Sequence, residues 1–293
     1  MIRITYPKFI SEPRVLIKTA VCLLCLGILY YPTFKKLASD LATLPDFSHG
    51  FLFPPISLYL IWKRSDELED VAPSPNNWGL AFVVFGLLLF LLGNLGAENF
   101  VTRASFLVVI TGITLFLLGW TYLKAFLFPI GLLIFAIPLP SILMQKITFP
   151  MQLFASQVAT WSLHVLNIPV LREGNIIHLV GETLEVAEAC SGIRSLLSLL
   201  AVGTVLAYFM TRVTWQRIVM VLSCFPIAIF VNALRVTVTG ILANHYGIQA
   251  AEGFFHGFSG AVLYFSGLIM VAGVGLLVSK LSAIRGGGEA KGE

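Results

Sequence analysis

A thiol, two guanidiniums and an imidazole occur where long apolar runs begin or end in the second half of this chain. Cys190 and Arg194 are four residues apart, a spacing that puts both on one face of a helix. Asn232 and Arg235 lie inside an apolar run, and His256 stands at the start of the next one. Ionisable groups are costly inside a bilayer, which makes each of them a functional candidate. The thiolate is the reactive form of cysteine; apolar surroundings disfavour it and nearby positive charge favours it. Arginine suits that supporting role because it stays charged when partly desolvated. Histidine exchanges protons near neutral pH, and either arginine could bind the oxyanion of a tetrahedral intermediate. Cys190, Arg235 and His256, supported by Arg194 and Asn232, form a set suited to acyl transfer from a peptide bond.

The elements that must position these residues are membrane helices. Of 293 residues, 57% are apolar and 12% charged, with a mean hydropathy of +0.89. A soluble domain carries about 25% charged residues and could not hide this much apolar surface. The fold class expected is an all-α polytopic integral membrane protein. Continuous apolar runs exclude a transmembrane β-barrel, whose strands alternate. Eight spans are expected, at about 15–31, 50–62, 78–96, 104–120, 122–138, 191–210, 217–243 and 257–280, each near the length that crosses hydrocarbon as helix.

Lysine and arginine set the orientation. With the N-terminus inside, twelve fall on the inner side and five (Lys35, Lys36, Arg103, Lys146, Arg172) on the outer side. Both termini are therefore expected in the cytoplasm. The chain reads as one membrane domain, 1–293. Five spans occupy 15–138, an extracytoplasmic or interfacial segment 139–190, three spans 191–280, and a Gly-rich disordered tail 281–293. Within the segment, residues 147–168 read as an interfacial or re-entrant helix. Residues 174–188 read as a β-hairpin turning at Gly181-Glu182 and feeding into Cys190. Arg235 then sits about 12 Å below the outer end of the seventh span, which ends near Ala243. Cys190, Arg194, Arg235 and His256 converge on the outer leaflet.

Plainer readings compete. Cys22, Cys25 and Cys224 fit small core residues, and the Cys22-x-x-Cys25 spacing has no second ligand pair to make a metal site. Arg103 and Arg172 fit side chains that snorkel to the headgroups. Neither metal nor organic cofactor is expected, and a net charge of +4 in such a chain reports topology, with no nucleic-acid partner implied.

The run Val186-Ala187-Glu188-Ala189-Cys190-Ser191-Gly192-Ile193-Arg194-Ser195-Leu196 resembles the signature of the exosortase/archaeosortase family. Asn232-Ala233-Leu234-Arg235-Val236 resembles its second motif, and Phe255-His256-Gly257 its third, where exosortases carry His. Upstream, Phe47-Ser48-His49-Gly50-Phe51-Leu52-Phe53-Pro54 is similar to a Ser-His-Gly…Pro motif of exosortases, which adds His49 to the supporting residues. The resemblance covers about residues 45–280.

It implies a bacterial inner-membrane cysteine transpeptidase with its active site facing outward. Its protein partners would carry a C-terminal tail: a motif such as Pro-Glu-Pro, a transmembrane segment and a basic cluster. By resemblance, Cys190 forms the acyl-thioester, Arg235 donates a proton, and His256 stabilises the transition state or acts as base; the acceptor nucleophile is unknown. Chemistry alone favours His256 as the proton carrier, because arginine does not deprotonate readily. The competing class is a non-enzymatic polysaccharide-export or transport subunit whose intramembrane Arg and Asn line a polar path. That class favours paired half-helices in two halves of the chain, which the sequence does not display.

Overall fold

The computed structural model describes residue 8, residues 12–186, 192–247 and 254–289. Within these, side chains are described except at 45, 46, 65, 66, 192, 193, 254–260 and 283–289. The chain divides into two compact units, Met1–Pro140 and Ser141–Glu293.

The first unit contains α1 (Pro13–Thr43), α2 (Phe53–Lys63), α3 (Trp78–Leu95), α4 (Asn99–Leu118) and α5 (Trp120–Leu132). Helix α1 starts on Pro13, where a missing N–H costs nothing, and continues through Pro32 well past the expected end near residue 31. A 3-10 stretch, Pro45–Leu52, links it to α2. Helices α3 and α4 form the tightest pair, because Gly79, Gly86 and Gly93 repeat every seven residues along α3. A Cβ at Gly86 would lie 2.5 Å from Val109 Cγ2, and one at Gly93 2.5 Å from Thr102 Oγ1. Small residues let membrane helices approach backbone to backbone, where dispersion replaces the hydrophobic drive that lipid cannot supply. The Glu98 carboxylate caps α4 by accepting from the N–H groups of Phe100 and Val101 at 3.0 and 3.1 Å. Gly119, at φ +92°, ends α4 against Ser74, whose carbonyl oxygen would be 2.0 Å from an added Cβ.

The second unit contains α6 (Ser141–Val165), a three-stranded antiparallel sheet, α7 (Gly192–Met210), α8 (Thr214–Tyr246) and α9 (Phe254–Glu289). The strands are β1 (Leu171–Glu173), β2 (Ile176–Leu179) and β3 (Glu182–Glu185), in that order across the sheet. The β2–β3 hairpin is as expected from its alternation, but its two-residue loop is Val180-Gly181, one position earlier than the sequence suggested. Gly181 takes φ +83° there, a conformation open to glycine. Strand β1 was not expected; it pairs with β2 across a Gly174-Asn175 loop.

Among the described residues, five helices are long and apolar enough to cross a membrane: Pro13–Thr43, Trp78–Leu95, Asn99–Leu118, Thr214–Tyr246 and, within α9, Ala261–Ser282. The number becomes six if Trp120–Ala136 and Ser141–Val165 together make one broken span. The fold is thus helical and polytopic, while the expected count of eight is not reached. The reason is local. Helix α2 is only 11 residues, about 16 Å long, because the chain enters it through the 3-10 stretch. Helix α5 gives way to 3-10 turns after 13 residues. Residues 147–168 lie mostly within α6, which begins earlier, at Ser141. Helix α9 continues past the expected end near 280, to Glu289.

Candidate active site

The second unit brings three helices to a common register. A Cβ on Gly267 of α9 would lie 3.6 Å from Val231 of α8 and 3.7 Å from Leu199 of α7. Nearer the opposite end, one on Gly203 would lie 2.5 Å from Cys224 Sγ and 3.7 Å from Val271. These contacts fix α8 antiparallel to both neighbours. Counting from the Gly267 level toward the Tyr246 end, Arg194 is about 7.5 Å along its helix and Arg235 about 6 Å along its own. The two guanidinium-bearing positions therefore share one depth. His256, eleven residues before Gly267, stands about 16 Å along, roughly 10 Å beyond that depth. It lies in the first turn of α9, and its side chain is not among those described.

Arg235 is 7% exposed and Asn232 3% exposed, both on α8. Because α8 runs to Tyr246, Arg235 lies about 16 Å from the helix end, deeper than the 12 Å expected from a span ending near Ala243. Arg194 is exposed on the first full turn of α7. Cys190 falls outside the described residues, which resume two positions later at Gly192.

Before it, Val186 is fully buried in a cluster with Leu184, Ile177, Leu163, Ala233 and Val236. The last two flank Arg235 in sequence. The sheet is thus packed against the arginine's own helix turn, with its C-terminal strand leading toward Cys190. Helix α6 braces the sheet from behind. Ala155, Ala159 and Leu163 pack into the same cluster, and Ser156 Oγ donates to the Gly174 carbonyl at 2.9 Å. Asn175 Nδ2 adds a weak contact to Gln152 Oε1 at 3.4 Å. This bracing was missed in the sequence, although Ala155 and Ala159 at helical spacing mark a face built for close packing.

His49 belongs to the first unit. It is half-buried in the 3-10 stretch, its ring edge-on to Phe53 with centroids 6.0 Å apart. The adjacent Gly50 is explained by packing: an added Cβ would lie 2.7 Å from Leu41 Cδ2 and 3.3 Å from the Ala136 Cα. Arg103 corrects an expectation. Instead of snorkelling it is 4% exposed and paired with Asp40 of α1. Arg172 is exposed and donates to the Gly174 carbonyl. Among the other cysteines, Cys224 is buried, Cys22 half-buried and Cys25 exposed on α1.

Residues 41–273 match the transmembrane exosortase family (Exosortase_EpsH). That match covers most of the chain, and the chain belongs to this family of membrane proteins. Neither the curated proteins nor the solved structures contain a match.

Proposed function

We propose that this exosortase is a membrane cysteine transpeptidase that removes C-terminal sorting tails from exported proteins. Cys190, as thiolate, attacks the carbonyl carbon of the scissile peptide bond. The C–N bond then breaks, the tail leaves as an amine that takes up a proton, and the exported protein is held as a thioester. A second nucleophile, a surface acceptor or water, attacks the thioester and returns the thiolate. His256 carries the proton, because its imidazole can both give and accept one near neutral pH. Arg235 holds the oxyanion or the thiolate, with Arg194 and Asn232 supporting.

The observation that carries this reading is the shared depth of Arg194 and Arg235, with Val186 buried in one cluster with Ala233 and Val236. Arg235 is buried on the helix turn that packs against the strand preceding Cys190, which supports an acyl-transfer centre there. The edge of the sheet offers main-chain groups to an extended sorting motif, a strand-addition mode of recognition. Substrate tails with a basic cluster insert with that cluster inside. Their scissile bond then emerges on the outer face, which places the working site outward, in a bacterial inner membrane, with both termini cytoplasmic.

The test is mass spectrometry of a tailed reporter's new C-terminus in membranes with and without the protein. The expected result is one new C-terminus at the motif, or its conjugate to an acceptor. A reporter left intact while the protein is inserted and abundant overturns the proposal.

A further inference from the structure

The first unit contains a cavity of about 370 Å³, within the range of about 300–1,000 Å³ typical of small-molecule sites. Phe34, Pro54, Ile61, Phe106, Ile130 and Ile137 are among its walls. Only two polar side chains line it, Ser57 and Arg103, and the Ser57 hydroxyl already donates to the Pro129 carbonyl at 2.8 Å. A second pocket of about 250 Å³ adjoins it and shares Arg103. Its other walls include Thr33, Lys36, Asn94 and Asn99, so it is polar where the first is apolar.

Arg103 is the junction. Its side chain is 4% exposed, yet of its five N–H donors only one nitrogen meets an acceptor among the described residues, Asp40 Oδ2. The nearby Glu98 carboxylate is turned into the cap of α4. Lys36 is exposed. The polar pocket is therefore lined by two cations and no carboxylate, with Asp40 balancing one of them.

We propose that this unit holds an anionic phospholipid, one acyl chain in the apolar cavity and the phosphate against Lys36 and the open face of Arg103. Apart from Arg103, the apolar cavity has no polar side chain with a free donor or acceptor for a peptide backbone or a sugar, so it selects hydrocarbon. The planar guanidinium fork matches a phosphate, and a second cation beside it selects net negative charge over a zwitterionic head.

The test is native mass spectrometry of the full-length protein, offered equal phosphatidylglycerol and phosphatidylcholine of the same acyl chains. Phosphatidylglycerol is retained at least about fivefold better, the effect of one basic residue at an anionic lipid surface. Lys36→Gln brings the two lipids near parity, and Lys36→Arg keeps the preference. Leu58→Trp, at a wall residue 68% exposed and so tolerant of change, lowers retention of both lipids by crowding the cavity. Equal retention by the unaltered protein overturns the proposal, as does retention indifferent to both Lys36→Gln and Leu58→Trp. Displacement of the lipid by inorganic phosphate alone also overturns it, since the chain would then contribute nothing.

Discussion

Arg235→Lys separates a structural arginine from one that serves a reacting centre. Arg235 is 7% exposed, between Ala233 at 3% and Val236 at 0%, and about 16 Å from the end of α8. Lysine keeps the charge and a long stem, so a guanidinium kept only for charge or packing should be replaceable. A guanidinium that fixes an oxyanion or a thiolate in one geometry should not be. Losing one well-placed oxyanion donor costs about 10²–10³ in rate, or roughly 3–4 kcal/mol of transition-state stabilisation. The expected outcome is a variant that inserts, keeps its thermal midpoint in detergent within a few degrees and still binds a tailed reporter. Its cleavage should be at least about a hundredfold slower. The assay is reporter conversion in membranes, normalised to enzyme by immunoblot. Near-normal turnover would refute the reasoning and leave Arg194 as the remaining guanidinium.

Three further expectations follow from the packing. Asp40→Asn strands Arg103 and should lower stability by up to about 3 kcal/mol; Asp40 keeps some solvent access, which limits the loss. Thermal unfolding in detergent measures it, and Asp40→Asn with Arg103→Met should recover most of the stability. Gly86→Leu forces a side chain into a contact whose Cβ alone would lie 2.5 Å from Val109 Cγ2 and 3.0 Å from the Val109 backbone nitrogen, and should prevent accumulation of folded protein, read by size-exclusion yield; normal yield would contradict the α3–α4 packing. Under the proposed topology, a membrane-impermeant thiol reagent should label Asn175→Cys from outside and Gly288→Cys only from inside, and labelling of both from one side would break it.

What could be read in the sequence was whatever a local pattern encodes. Ile177, Leu179, Leu184 and Val186 alternate, and Gly181 marks the turn, so the β2–β3 hairpin was visible. Strand β1 was not, because Leu171–Glu173 is short and wholly exposed and carries no alternation. The eight apolar runs were visible, but hydropathy does not report where 3-10 turns interrupt a run, as they do before α2 and after α5. The glycines of α3 were on the page as a seven-residue repeat whose meaning depends on a partner helix. Residue types at the candidate site could be singled out from charge inside apolar sequence. Their relative depth could not, because it rests on the tertiary contact of Gly267 with Val231 and Leu199. Arg103 was misjudged for the same reason: its partner, Asp40, is 63 residues away in the chain.

The central claim is a covalent intermediate on one sulfur. The most direct measurement is the intact mass of the purified protein after incubation with a tailed substrate and rapid acid quench, alongside Cys190→Ala. The expected result is an adduct with the mass of the substrate lacking its tail, mapped to Cys190, released by hydroxylamine and missing in Cys190→Ala. Replacing Cys22, Cys25 and Cys224 together should leave that adduct in place. Tail removal by Cys190→Ala at the rate of the unaltered protein would contradict the account.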